Sequence, residues 1–148
     1  MTLEDRIMQD LKEAMKAKDQ AALRGIRAIK SAILLEKTSG SKHDISTEVE
    51  MQLLQRLLKQ RKESMEIFAR EGREDLAEKE REEIRVIEKY LPEQLGEAEL
   101  EAEIRDIISQ TGASSMKDMG KVMGAASKKL AGKADNKSIS EMVKRLLS

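Results

Sequence analysis

Residues 46–72 read STEVEMQLLQRLLKQRKESMEIFAREG, and this stretch decides the fold class. Its apolar residues recur at the three- and four-residue spacing of a helix face: Leu53, Leu54, Leu57, Leu58, Met65 and Phe68. Thr47 followed by Glu50 has the spacing of a capping box, and Gly72 is a residue type that favours the end of a helix. The stretch therefore predicts one long amphipathic helix.

The same kind of pattern continues towards both ends of the chain. Four residues recur every fourth position near the start and predict a helix from about Leu3 to Lys18: Leu3, Ile7, Leu11 and Met15. A second helix is predicted to end in the polar stretch 38–42. A further helix is predicted from about Glu74 to Leu91, where Pro92 stops it because proline cannot continue a helix.

Beyond Pro92 the apolar pattern predicts three shorter helices. The first of them ends at Gly112, the next starts at Ser115, and the last begins with a second capping box from Ser138 to Glu141. The prediction is an all-α fold of two helical bundles. Residues 1–92 form an N-terminal four-helix unit, and residues 93–148 form a C-terminal three-helix unit.

Composition excludes several classes of protein. The 148 residues include 28 basic and 28 acidic side chains, one His, no Cys and 1% aromatics. A chain without Cys has no disulfides and no thiolate metal site, and a lone His cannot supply a His cluster. No apolar run approaches the roughly 20 residues that span a bilayer. We therefore expect a cytoplasmic protein with no metal, no cofactor and no membrane contact.

No residues have the pattern of a catalytic site. His43 falls in a predicted loop without an orienting partner, and no glycine-rich phosphate loop or serine nucleophile motif is visible. Arg61 and Glu80 interrupt apolar stripes on two helices that would form a hairpin through Gly72. We interpret them as a structural ion pair, with a functional role as the alternative.

Charge is unevenly distributed near the C-terminus. Residues 93–111 hold six acidic residues and one basic residue, whereas residues 112–148 hold eight basic and three acidic residues. A lysine-rich helical end suits phosphate contacts on folded RNA. The unit has no aromatic side chain on which single-stranded bases could stack, so RNA would be read by its shape and backbone, and no DNA is expected.

Two glycines in a predicted helix stand out, because each costs about 1 kcal/mol relative to Ala. Gly120 and Gly124 lie one turn apart on one face. They allow either close contact with a neighbouring helix or close approach of a ligand, with Lys121 beside them.

Five segments together resemble the YqeY-like family, which is similar to the C-terminal part of GatB, the B subunit of bacterial tRNA-dependent amidotransferases. The segments are KQRKES at 59–64, GREDLA at 72–77, YLPEQL at 90–95, DMGKVMG at 118–124 and GKAD at 132–135. The family implies a four-helix unit followed by a three-helix unit. The sequence departs at Asn136, where the family usually has Gly; Asn tolerates a left-handed turn.

The resemblance implies a function connected with tRNA. The amidotransferase is a carbon–nitrogen ligase that uses glutamine as amido-N-donor, and its helical tail helps to grip the tRNA. This chain resembles only the helical and tail portions, so its link to ligase chemistry rests on resemblance alone. Positions matching the tail motif are Gly120, Lys121, Gly124, Gly132, Lys133 and Asp135, of which Asp135 is expected to cap or brace the turn.

We therefore predict a tRNA-binding accessory protein related to tRNA-dependent amidotransferase, with no independent catalytic site. The RNA-binding candidates are Gly120, Lys121, Gly124, Lys128, Lys133 and Lys137. An amidotransferase or an aminoacyl-tRNA synthetase is a candidate protein partner. Two alternatives remain open, namely a helical protein-interaction adaptor without RNA binding and a subunit that acts in trans on amide transfer.

Overall fold

The computed structural model describes residues 1–39 and 45–148, and all of their regular secondary structure is helical. These residues form seven α-helices and one short 3₁₀ helix at Met116–Asp118, with no β-strand among them. The α-helices are α1 Leu3–Ala17, α2 Gln20–Thr38, α3 Thr47–Arg70, α4 Glu74–Glu88, α5 Glu97–Thr111, α6 Met119–Lys129 and α7 Asn136–Leu147. The predicted all-α fold class is confirmed.

Two helices begin earlier than the capping patterns indicate. The cap of α3 is Ser46, whose hydroxyl accepts a hydrogen bond from Val49 N at 3.2 Å, so Thr47 is already the first helical residue. The cap of α7 is Asp135, whose carboxylate accepts from Ser138 N at 2.9 Å. Both caps have the extended backbone that this position requires, and both residue types are strong N-caps.

The contacts divide the chain into two compact units, Met1–Pro92 and Glu93–Ser148. In the first unit α3 and α4 form a hairpin, and α2 packs against α4 and α1. The approach of α2 to α4 is close, because a Cβ added to Gly25 would lie 2.6 Å from Val86 Cβ. The core of this unit is aliphatic apart from Tyr90, and its most enclosed members are Ile7, Ile29, Leu54 and Ile87.

The second unit contains α5, α6 and α7, which all pack against one another. Its core is again aliphatic, with Ile104, Val122, Ala126 and Val143 fully enclosed. Each helix of this unit therefore packs one face against the core. The outward residues of α6 and of the turn after it form the region where the binding candidates lie.

Candidate nucleic-acid interface

Four of the six RNA-binding candidates lie on one exposed face of α6. Gly120, Lys121, Gly124 and Lys128 are all exposed. At about 100° per residue they occupy an arc of roughly 100°, and the buried Val122 and Ala126 lie on the opposite side of the helix. The packing of α6 onto the core through Val122 and Ala126 directs this face outward. We call these four residues the α6 face.

The two glycines of the α6 face have open space above them. A Cβ built on Gly120 or on Gly124 meets no heavy atom of the described residues within 4 Å. Neither glycine has a positive φ. Close contact with a neighbouring helix, one of the two explanations that the sequence allows, is therefore not what the described residues show. Neither backbone geometry nor internal packing requires glycine at these positions.

The other two candidates, Lys133 and Lys137, follow in the turn and at the start of α7. Both side chains are exposed. The turn contains Gly132 with φ +78°, a left-handed conformation that glycine adopts without steric cost. Asp135 caps α7, as expected for a residue that braces the turn. Asn136 is the first residue of α7 and does not take a left-handed conformation, so the departure from the family pattern leaves the turn intact.

Acidic residues of α5 neutralise part of the basic surplus. Arg145 contacts Glu101 at 2.9 Å and Glu97 at 3.4 Å, and Lys129 lies 3.2 Å from both Glu103 and Asp106. The hydrogen bond to Asp106, followed by the one to Glu103, raises the pKa of Lys129. These two cations are thus occupied by the protein's own carboxylates.

The four candidate lysines differ from Lys129 and Arg145 in this respect. Within the described part of the chain, no ion pair engages the side chains of Lys121, Lys128, Lys133 or Lys137. Their ammonium groups are therefore available to an external anion. Lys133 and Lys137 also flank the N-terminus of α7, where the helix dipole favours negative charge.

The structure places Arg61 on α3 and Glu80 on α4, the two helices of the hairpin. Burial is the main cause that raises the pKa of Glu80, and the charge of Glu83 adds to it, while the positive charge of Arg61 acts in the opposite direction. No direct ion pair joins these two described residues, and Arg61 Nε is buried without a hydrogen-bond partner. Their interaction is a longer-range attraction.

Other predicted features bear on different classes of site. His43 lies outside the described residues. Among residues 1–39 and 45–148, no group of His, Cys, Asp or Glu is arranged to hold a metal ion. The helices described here include none that is both long and apolar enough to cross a membrane.

Sequence reasoning missed one contributor to this region, Gln94. Its side-chain amide donates to Gly132 O at 2.6 Å, and the next residue, Leu95, donates its backbone N–H to Lys133 O at 2.9 Å. The segment before α5 is thus attached to the turn that carries Lys133. The only available signal was the YLPEQL segment of the family resemblance, which specifies no partner.

The fold and this surface define an all-helical protein whose C-terminal unit exposes unpaired lysines beside two uncovered glycines. A family model described as Yqey-like protein matches residues 4–147. The chain belongs to the Yqey-like protein family, and the predicted resemblance is confirmed.

Fungal relatives share the name "Altered inheritance of mitochondria protein 41, mitochondrial". The protein from Pyrenophora tritici-repentis is 30% identical over 146 residues, covering 96% of this chain and 79% of that protein. The one from Lachancea thermotolerans is 32% identical over 111 residues, covering 74% and 59% respectively. The one from Kluyveromyces lactis is 38% identical over 84 residues, covering 57% and 45%. The chain thus spans about three fifths of the Lachancea protein.

These names contradict one prediction and leave another untouched. The relatives are named as mitochondrial proteins, which points to the mitochondrion and makes the predicted cytoplasmic location wrong. The physical reason is that composition and the lack of a long apolar run suit any aqueous compartment. The printed names state neither tRNA binding nor amide transfer.

Proposed function

We propose that the C-terminal unit binds the phosphate backbone of a folded tRNA, and that the protein is a tRNA-binding accessory factor without a catalytic site of its own. The observation that carries this proposal is the α6 face. Its two glycines leave the helix backbone uncovered, because no other described residue packs against it there. Two lysines without ion pairs to the described residues lie beside them.

The chemistry of this surface matches a phosphate backbone. Each glycine in a helix interior costs about 1 kcal/mol relative to Ala, and the described structure offers no internal compensation at Gly120 or Gly124. Close approach of an external ligand to the helix backbone would explain why both positions are glycine. Unpaired lysines bind phosphates by releasing condensed counterions, and such binding needs no base contact.

The test is the binding of the purified chain to unfractionated tRNA over a salt series, with a tRNA-sized duplex as the control ligand. The proposal expects saturable binding that weakens with salt and prefers tRNA. In the variant Lys121→Ala/Lys133→Ala, the slope of log affinity against log salt should become shallower by about 0.9 for each lost phosphate contact, on the duplex scale.

The matched control is Lys12→Ala/Lys16→Ala on α1. These two lysines are exposed and free of ion pairs among the described residues, so the same charge is removed from the other unit. The control should bind tRNA as the unmodified chain does. Equal slopes in all three proteins would remove Lys121 and Lys133 from the interface. Absence of tRNA binding at about 50 mM salt would overturn the proposed function.

One observation favours the alternative role of a protein-interaction adaptor. Leu34 and Leu35 on α2 are 62% and 69% exposed, although most leucines of the first unit are buried. Copurification of a glutaminase or synthetase with the chain would favour either the adaptor or a subunit acting in trans. An amidation assay with and without the chain separates these two, because only the trans-acting subunit changes the rate.

A further inference from the structure

The turn between α6 and α7 is held by residues far away in sequence. Gln94 and Gly132 are 38 residues apart, and the Gln94 Nε2 to Gly132 O hydrogen bond is 2.6 Å long. A second hydrogen bond joins the adjacent residues, from Leu95 N to Lys133 O at 2.9 Å. The segment 94–95 thus engages two consecutive carbonyl groups of the turn.

These bonds determine the backbone of Lys133. Its N–H donates to Leu130 O at 2.9 Å and its carbonyl accepts from Leu95, so both of its backbone polar groups are fixed. Gly132, immediately before it, is buried, while the Lys133 side chain is exposed and lacks an ion pair among the described residues. A fixed backbone therefore carries a free cation.

We propose that Gln94 is a positioning residue for RNA binding, which acts through the turn to present Lys133 to a phosphate. This inference rests on the proposed function. A lysine on a loose turn would lose backbone as well as side-chain freedom on binding, whereas here the protein has already ordered the backbone during folding. Gln94 needs no contact with RNA for this effect.

The amide chemistry of Gln94 suits the role. A carbonyl oxygen carries partial negative charge, and two such groups turned outward beside Lys133 would repel a phosphate. Donors from Gln94 and Leu95 occupy both oxygens, and they do so without placing a charge in the turn. The neutral amide of Gln94 and the backbone N–H of Leu95 therefore satisfy two repulsive acceptors without adding a charge beside Lys133.

The experiment is a double-mutant cycle in the full chain, with tRNA binding measured over a salt series. Gln94→Met keeps a side chain of similar size but removes the donor. The matched control is Gln110→Met, the same substitution at an exposed glutamine of α5 that donates to Asp106 at 3.2 Å. Lys133→Ala and the double variant complete the cycle.

We expect Gln94→Met to weaken binding several-fold and to lower the salt slope by up to about 0.9, as Lys133→Ala does. In the Lys133→Ala background the same substitution should change neither quantity further. Gln110→Met should bind as the unmodified chain. If the methionine variant fails to fold, Gln94→Asn carries the same expectation, because its side chain is one carbon shorter and should lose the hydrogen bond to Gly132 O.

A loss that is equally large with and without Lys133 would show that Gln94 supports the unit in general and would overturn the positioning role. Binding indistinguishable from that of Gln110→Met would overturn it as well. Both results leave the proposed function standing, because the unmodified chain binds. A chain that fails to bind tRNA in any form overturns the proposed function and this inference with it.

Discussion

The Tyr90 hydroxyl donates a hydrogen bond to the Asp10 carboxylate, 80 residues earlier in the chain. The Arg6 guanidinium lies 5.1 Å from the centre of the Tyr90 ring, and its Nη2 donates to Lys89 O at 3.5 Å. Burial, followed by the hydrogen bond and the charge of Asp10, raises the pKa of the Tyr90 hydroxyl. The segment after α4 is thereby fastened to α1 within the first unit.

Tyr90→Phe should lower the free energy of unfolding of the first unit by about 1 to 3 kcal/mol, since it removes a hydrogen bond to a charged acceptor. Urea denaturation measures the change. Asp10→Asn is the matched control, because its amide oxygen still accepts from the hydroxyl, and it should cost less. A Tyr90→Phe variant as stable as the unmodified chain would show that the bond contributes nothing net.

Gly120→Ala/Gly124→Ala should have opposite effects on stability and on binding. The free protein should gain up to about 1 kcal/mol per site, because α6 gains helix propensity and the added methyl groups meet no described atom. Affinity for tRNA should fall, because the methyl groups occupy the space the ligand needs. Thermal unfolding and a binding titration measure the two quantities.

Gly25→Ala is the matched control for stability. The same methyl group would lie 2.6 Å from Val86 Cβ, so this variant should unfold at a lower temperature. An alanine pair on α6 that binds tRNA with unchanged affinity would contradict the assignment of the α6 face.

Glu101→Gln should strengthen tRNA binding. It weakens the restraint on Arg145, whose guanidinium lies 2.9 Å from Glu101, and it removes one negative charge from α5. The pair is exposed and contributes less than about 1 kcal/mol to stability, so the fold should tolerate the change. A salt slope steeper by up to about 0.9 is the expected sign of one more cation at the RNA.

Glu4→Gln gives the comparison for this prediction. It releases Lys37, paired with Glu4 at 2.6 Å, in the other unit, and tRNA affinity should stay the same. Equal gains from both variants would indicate a general charge effect rather than a defined interface.

Glu80→Gln should stabilise the protein near neutral pH and have little effect in acid. Burial raises the pKa of Glu80 in the folded state above its unfolded value. Protonation therefore favours the fold: this contribution is complete below the ordinary glutamate pKa and is lost as pH rises through the raised value. Thermal midpoints of the variant and the unmodified chain, compared at about pH 4 and pH 7, give the difference.

Glu78→Gln, on the same helix, should behave in the opposite way. Hydrogen bonds from Arg81 and then Arg85 lower the pKa of Glu78, so its ionised form favours the fold above the ordinary glutamate pKa. That variant should lose stability near neutral pH. A Glu80→Gln midpoint below that of the unmodified chain at neutral pH would contradict the expected sign.

The helices could be predicted from the periodicity of apolar residues. Which residues face the core, and which residues cap each helix, could be predicted only approximately. Met15 follows Leu3, Ile7 and Leu11 at intervals of four residues, yet each interval turns about 40° beyond a full circle. After three intervals the side chain has left the core face: Met15 is 56% exposed, and Ala14 is buried in its place. The caps also differ from the predicted ones: Ser46, a stronger N-cap than Thr, precedes Thr47 in α3, and Asp135, an N-cap as strong as Ser, precedes Ser138 in α7.

Which basic residues of the candidate site are free of ion pairs could not be predicted from the sequence. A sum over residues 112–148 treats all eight basic residues alike, whereas the structure pairs Lys129 and Arg145 with carboxylates of α5. The Gln94 contact depends on where two distant segments meet, and no periodicity records that. The sequence also could not show that the space above Gly120 and Gly124 is open, because the glycine spacing fits either close contact with a neighbouring helix or close approach of a ligand.

The pair of glycines has a dynamic consequence for α6. Two glycines on the water-facing side of this 11-residue helix should lower its free energy of local opening, and we expect its amide hydrogens to exchange with solvent sooner than those of α5 and α7. A polyanion bound to the α6 face would stabilise the helix and offset the low helix propensity of the two glycines. Slower exchange along α6 would then report occupancy by the ligand.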